Sequence, residues 1–140
     1  MSKVIVYTPG VFDLFHIGHL NVIRRAKLCG DHLIVGVCSD TLVKETKESL
    51  LVTRDYDRAE IVRELKCVDE VIIYEKVDQT VMIKKLNIDV FVVGEEFGFC
   101  KEHQDSLIYC QNNNIRVVRI KRTPEISSSG IKNKLKNGDK

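Results

Sequence analysis

Two short strings carry residue types suited to chemistry on phosphates. The first reads Gly10-Val11-Phe12-Asp13-Leu14-Phe15-His16-Ile17-Gly18-His19. His16 and His19, three apart at a helix start, lie about one turn apart on one face. Gly18 between them lets a ligand approach the backbone closely. The free N–H groups and dipole of a helix start favour an anion there. Imidazoles that donate hydrogen bonds, added to that dipole, make a phosphate cradle. Two histidines at this spacing are common, so the full string matters more than the pair. The second string reads Arg122-Thr123-Pro124-Glu125-Ile126-Ser127-Ser128-Ser129, its serines coming just after a basic Lys121-Arg122 pair. Three serines at a helix start again suit phosphate oxygens, although Ser127 alone reads as an N-cap.

These strings need elements to hold them, and the chain alternates strand and helix throughout. Val4–Tyr7, His32–Cys38, Val71–Tyr74, Val90–Val93 and Ile115–Ile120 read as strands. Helices are expected from about His19 to Cys29, from an Asp57 N-cap, over Thr80–Leu86, over Asp105–Asn112, and from Ser127 to about Lys136. Glu60 completes a capping box with Asp57, and that helix is expected to bury Ile61, Val62 and Leu65. Near-continuous apolar strands suit a parallel sheet buried on both faces. The expected fold is therefore a single-domain, Rossmann-like α/β structure, an open five-stranded parallel sheet with helices on both faces. Its domain spans 1–136, with 137–140 as a frayed tail. Ligands of such sheets bind beyond the carboxyl ends of the strands. The loops there are Thr8–Gly18, Ser39–Arg54, Gly94–Gln104 and Lys121–Ser129. Both strings thus face one crevice, which suggests a polyphosphate substrate.

Composition narrows the partners. The chain has 140 residues, 44% hydrophobic and 30% charged, with a formal charge of +2. That balance gives no general reason to expect nucleic acid or a membrane. No apolar run approaches the ~20 residues of a membrane span. Met1-Ser2-Lys3 leads straight into a strand-like run, so a cytoplasmic chain is expected. Five cysteines, none in CxxC spacing, fit a reduced compartment. Cys38 and Cys67 read as small core hydrophobes.

The two strings resemble the HxGH and RTxGISTS signatures of the cytidylyltransferase family, a nucleotidyltransferase fold. Val68-Asp69-Glu70-Val71 and Asn87 to Gly94 are similar to the glycerol-3-phosphate cytidylyltransferase type. The resemblance covers about residues 3 to 136. It implies transfer of CMP from CTP to a small phosphorylated alcohol, with pyrophosphate released. An acceptor phosphate is already ionised, so direct in-line attack needs neither a general base nor a covalent intermediate. Catalysis then rests on positioning and charge neutralisation.

The resemblance also implies residue roles. His16 and His19 would serve the triphosphate as catalytic donors, with Lys44, Lys47 and Arg122. Val11, Phe12, Asp13, Gly18, Gly94, Thr123, Ile126, Ser127, Ser128 and Ser129 would complete the nucleotide site. Asp13 would place Mg²⁺ or order the phosphate loop, with Mg²⁺ held mainly by substrate phosphates. Lys44, Lys47 and Arg58 would meet the acceptor. Without the resemblance, Lys44 and Lys47 are a solvated face among Glu45 and Glu48, and Arg58 a surface ion pair with Glu60 or Asp57. A homodimer is implied, and apolar Val68–Ile73 would serve either as its contact or as a buried strand.

Glu125 stands where the family has glycine, Val11 where it has threonine, and Glu95-Glu96-Phe97 where glycerol types have two aspartates and a tryptophan. The chain has no Trp, 5 Phe and 4 Tyr, which disfavours a choline cage. The alternatives are phosphocholine or phosphoethanolamine with CTP, FMN with ATP, or a nucleotide-binding module weakened at Glu125.

Overall fold

The computed structural model describes residues 2–46, 51–124 and 127–137. Five strands are β1 (Ile5–Gly10), β2 (His32–Cys38), β3 (Glu70–Tyr74), β4 (Val90–Gly94) and β5 (Arg116–Ile120). The helices are α1 (Ile17–Lys27), α2 (Asp40–Thr46), α3 (Asp55–Arg63), α4 (Thr80–Leu86), α5 (Lys101–Asn112) and α6 (Ser128–Lys136). The strands form one sheet in the order β3-β2-β1-β4-β5, every pair parallel. The expected open α/β sheet is what the chain adopts.

Alternation along each strand sorts side chains between two cores. Val6, Val35, Val37 and Val92 face one side and pack with Ile23 and Ala26 of α1 and Ala59 and Val62 of α3. Tyr7, Ile34, Phe91 and Val93 face the other and pack with Ile83 of α4 and Cys110 of α5. Burial pushes the Cys110 thiol up to about 11. Cys38 is buried and Cys67 packs half-buried against the first core. Gly36 allows Tyr7 to cross the sheet, because a Cβ at Gly36 would sit 2.5 Å from the Tyr7 hydroxyl. That hydroxyl donates to Gln79 Oε1 at 2.6 Å.

Several boundaries differ from expectation. α1 begins at Ile17, capped by His16, two residues earlier than its apolar spacing suggested. The Ser39–Arg54 loop contains α2. α3 begins at Asp55, so Asp57 lies in its first turn rather than at its cap. The cap is supplied non-locally: Asp55 N–H donates to Asp40 Oδ1, and Asp40 N–H to Asp55 Oδ2, each at 2.9 Å. Ile61 is 46% exposed and is not a core residue. α5 begins four residues early, at Lys101. The last residues, 138–140, lie outside the described ones.

The strand order reverses at β1: β2 and β3 are added on one side of it, β4 and β5 on the other. Such a switch point opens a crevice beyond the strand ends. The loops after β1, β4 and β5 all reach it.

Candidate active site

A cleft of about 440 Å³ occupies that crevice. His16, His19, Gly94, Arg122 and Ser127 to Ser129 line it, along with Val11, Phe12, Asp13, Gly18 and Thr123. The two strings from opposite ends of the chain therefore meet. α1 and α6 both point their N-termini into this region, and both carry a side-chain cap.

The cap of α1 is unusual and sets the chemistry. His16 Nδ1 accepts the Gly18 N–H at 3.0 Å. His19 Nδ1 accepts the His16 N–H at 3.2 Å. This is a capping box built from two imidazoles, and it fixes their tautomers. With Nδ1 accepting, each neutral ring carries its proton on Nε2. The rings stack at 3.9 Å, and His19 also packs against Phe12 and Phe15. His16 Nε2 is buried and has no hydrogen-bond partner among the described residues. Burial holds the His16 pKa below its ordinary value. The result is a neutral, aimed N–H donor without an acceptor of its own. A buried donor left in that state costs about 1–3 kcal/mol, so it invites a ligand atom.

The loop carrying these histidines is held in an uncommon shape. Phe12 and Leu14 adopt φ of 57° and 49°, a left-handed conformation that is strained for bulky residues. Three groups of contacts maintain it. Ser128 Oγ donates to the Asp13 carbonyl. Arg58 Nη1 donates to the Val11 carbonyl at 2.7 Å. The Asp13 carboxylate, 2% exposed, accepts from Val52 N–H and Thr53 N–H at 3.0 Å, Thr53 Oγ1 at 2.8 Å and Lys132 Nζ at 2.6 Å. Burial alone would raise the Asp13 pKa. The hydrogen bonds from Lys132, Val52 and Thr53 outweigh it and hold the carboxyl well below the usual range.

In this structure both Asp13 carboxylate oxygens accept hydrogen bonds that order the loop. Among the described residues no group of three or more His, Cys, Asp or Glu could hold a metal ion. A divalent cation carried mainly by the phosphates of a bound substrate would fit this site.

Arg58 is also placed differently from either expectation. It is 1% exposed and is absent from the cleft wall. Its partners are Thr53 O at 3.0 Å, Val11 O at 2.7 Å, Cys38 O at 2.8 Å and Asp40 Oδ1 at 2.6 Å. It clamps the ends of β1 and β2 to the segment before α3, rather than facing solvent or pairing with Glu60 or Asp57. Lys44 lies exposed on α2, near the cleft-lining Val43 but outside the wall itself. Lys47, Glu125 and Ile126 lie outside the described residues.

Ser127 Oγ caps α6 by accepting Gly130 N–H at 2.9 Å. Thr123 Oγ1 accepts from Asn21 of α1 at 3.2 Å, tying the second string to the first helix. Lys132, missed from sequence, lines the cleft from α6. Its one signal was its place four residues after Ser128, on the same helix face. A second cavity of about 540 Å³ shares Pro9 and Val11 with the cleft and is lined by Tyr74, Phe97, Phe99 and His103.

The family model for cytidylyltransferase-like proteins matches residues 7–134. The chain belongs to the cytidylyltransferase-like family. It is a nucleotidyltransferase, acting on a nucleoside triphosphate and a phosphorylated acceptor. Among curated relatives, glycerol-3-phosphate cytidylyltransferase of Bacillus spizizenii is 38% identical over 140 residues, covering 94% of this chain and 95% of that protein. FAD synthase of Thermococcus sibiricus is 37% identical over 120 residues, covering 85% and 81%. A probable ethanolamine-phosphate cytidylyltransferase of Encephalitozoon cuniculi is 38% identical, but this chain spans 39% of it. A solved lipopolysaccharide core biosynthesis protein of Thermoplasma volcanium superposes with a TM-score of 0.75 at 25% identity, covering 87% and 99% of the two chains. Among the described residues no helix of this nucleotidyltransferase is long and apolar enough to cross a membrane.

Proposed function

We propose that this chain transfers CMP from CTP to glycerol 3-phosphate or a similar small phosphorylated alcohol. The observation that carries the reaction is the buried, unpartnered His16 Nε2 between two helix starts in one cleft. A donor fixed there meets charge as it develops on the triphosphate, without reorganising at the moment of reaction.

In this mechanism an acceptor phosphate oxygen attacks the α-phosphorus in line. The new P–O bond forms as the bond to the β-phosphate oxygen breaks, and pyrophosphate leaves with that electron pair. No proton moves. His16 and His19 donate to the α-phosphate and the leaving oxygen. The Ser127 and Ser129 hydroxyls, with the Ser128 backbone N–H at the α6 N-terminus, hold the terminal phosphates while Ser128 Oγ stays on the Asp13 carbonyl, and Arg122 and Thr123 flank them. Gly18 and Gly94 leave room for backbone approach. Val11 and Phe12 contribute main-chain contacts. Lys44, with Lys47, draws the acceptor phosphate. Mg²⁺ on the nucleotide's phosphates would lower their charge. Arg58 acts by holding the loop rather than by touching the acceptor.

The choice of glycerol 3-phosphate is supported by the nearly end-to-end match with the Bacillus protein. A second reading, FMN with ATP, is favoured by the aromatic-walled cavity beside the cleft, which has room for a planar ring system. Pyrophosphate release distinguishes them, measured with CTP or ATP against glycerol 3-phosphate, phosphoethanolamine, phosphocholine and FMN. Turnover should be fastest with CTP and glycerol 3-phosphate. Fastest turnover with ATP and FMN replaces the first reading with the second. CTP binding without any turnover supports a weakened module. A homodimer formed in the cytoplasm is the accompanying expectation, and sedimentation tests the dimer.

A further inference from the structure

Helix α6 grips Asp13 at two points on one helix face. Ser128 Oγ donates to its carbonyl, and Lys132 Nζ, four residues on, meets its carboxylate at 2.6 Å. The carboxylate in turn takes the N–H groups of Val52 and Thr53 at 3.0 Å and the Thr53 hydroxyl at 2.8 Å. Residue 51, immediately before this pair, lines the cleft as Leu51. Thr53 O is also held by Arg58. Through Leu51 the segment joins Val43 of α2 in the cleft wall.

We propose that Lys132 is a positioning residue which, through Asp13, holds the Val52–Thr53 segment against the cleft and so shapes the acceptor side. This rests on the proposed reaction for which side receives the acceptor. The physical basis is that Asp13 is buried and that, among the described residues, Lys132 is its ion-pair partner. Without that cation the carboxylate is a buried charge held by neutral donors alone, a costly state that loosens its grip or draws water in. The slack passes to Val52 and Thr53, which have no helix or strand to hold them.

The test uses the full chain carrying Lys132→Met, with Lys132→Arg as conservative rescue. Amide hydrogen exchange reads the tie itself. Val52 and Thr53 should exchange at least about tenfold faster in K132M, with sheet amides such as Ile34 within about twofold of wild type, because opening is local. K132R should restore most of the protection. In turnover, KM for glycerol 3-phosphate should rise about tenfold while kcat and CTP affinity stay within about threefold, the pattern of lost ground-state positioning.

Unchanged exchange at Val52 and Thr53 overturns the proposal. So does a tenfold loss of CTP affinity with an unchanged acceptor KM, which would make Lys132 a direct phosphate contact. If wild type turns over no acceptor, the functional reading fails while the exchange arm still judges the tie. Should K132M not fold, Thr53→Val removes only the hydroxyl donor to Asp13. It should speed exchange at both amides about threefold, and no change there refutes the tie.

Discussion

Arg58→Met offers a direct test of the clamp that shapes the first loop. The native guanidinium is 1% exposed and makes four hydrogen bonds, three to carbonyls of Thr53, Val11 and Cys38 and one to the Asp40 carboxylate. Methionine keeps the stem's volume and removes every donor. Breaking a buried ion pair costs about 3–5 kcal/mol. The Asp40 side chain is 33% exposed, so water recovers part of its share. The three carbonyls then add back toward the middle of the range, and about 4 kcal/mol is expected. With a urea slope of about 2 kcal/mol/M, the unfolding midpoint should fall by about 2 M. Circular dichroism during urea titration measures it. Arg58→Lys should recover less than half, because one ammonium cannot reproduce a fork of four donors; it also serves as the measurable variant if R58M does not fold. A midpoint within about 0.3 M of wild type, together with a raised acceptor KM, would refute this reasoning. Arg58 would then face substrate, as the family resemblance first implied.

Other expectations follow from the same geometry. His16→Ala should lower kcat by about 10²–10³ through loss of the aimed donor and destabilise by about 1 kcal/mol through loss of the α1 cap, read by steady-state kinetics and urea unfolding. Asp13 has a folded pKa below its unfolded value, so its stabilisation is complete above the unfolded pKa and fades as pH falls through the folded one. Unfolding midpoints of wild type should therefore drop as pH falls below about 4; Asp13→Asn should be weaker at pH 7 and lose less over that acid interval. An equal acid loss in both proteins would contradict this role. Gly36→Ala should destabilise by about 1–3 kcal/mol, since its Cβ would lie 2.5 Å from the Tyr7 hydroxyl; the double variant with Tyr7→Phe should recover part of that loss.

The sheet was legible because its signals are local and repeated. Runs such as Val90–Val93 and Leu33–Val37 are apolar on both faces, which a doubly covered parallel strand requires. Meeting of the two strings followed from topology alone, once the strands were parallel. What escaped was non-local. Asp57 and Glu60 match a capping pattern, yet α3 starts at Asp55 because Asp40, 15 residues away, supplies the bond. α2 was hidden among charged residues with a short apolar stripe of Leu42 and Val43. Arg58 reads as a surface residue by type, and only the folded chain supplies its three carbonyls. Lys132 looks like one of several lysines on an exposed helix until Asp13 is brought beneath it. For the α3 start, Arg58 and Lys132 the deciding partner is distant in sequence.

Nucleotidyl transfer from CTP to a phosphorylated alcohol turns two phosphorus-containing substrates into two products with resonances of their own. Phosphorus NMR of the purified chain with CTP, Mg²⁺ and glycerol 3-phosphate tests it most directly. Diphosphate-diester resonances of CDP-glycerol and those of pyrophosphate should appear together, one for one. Pyrophosphate absent, or formed without the diester, with glycerol 3-phosphate unchanged, would contradict it.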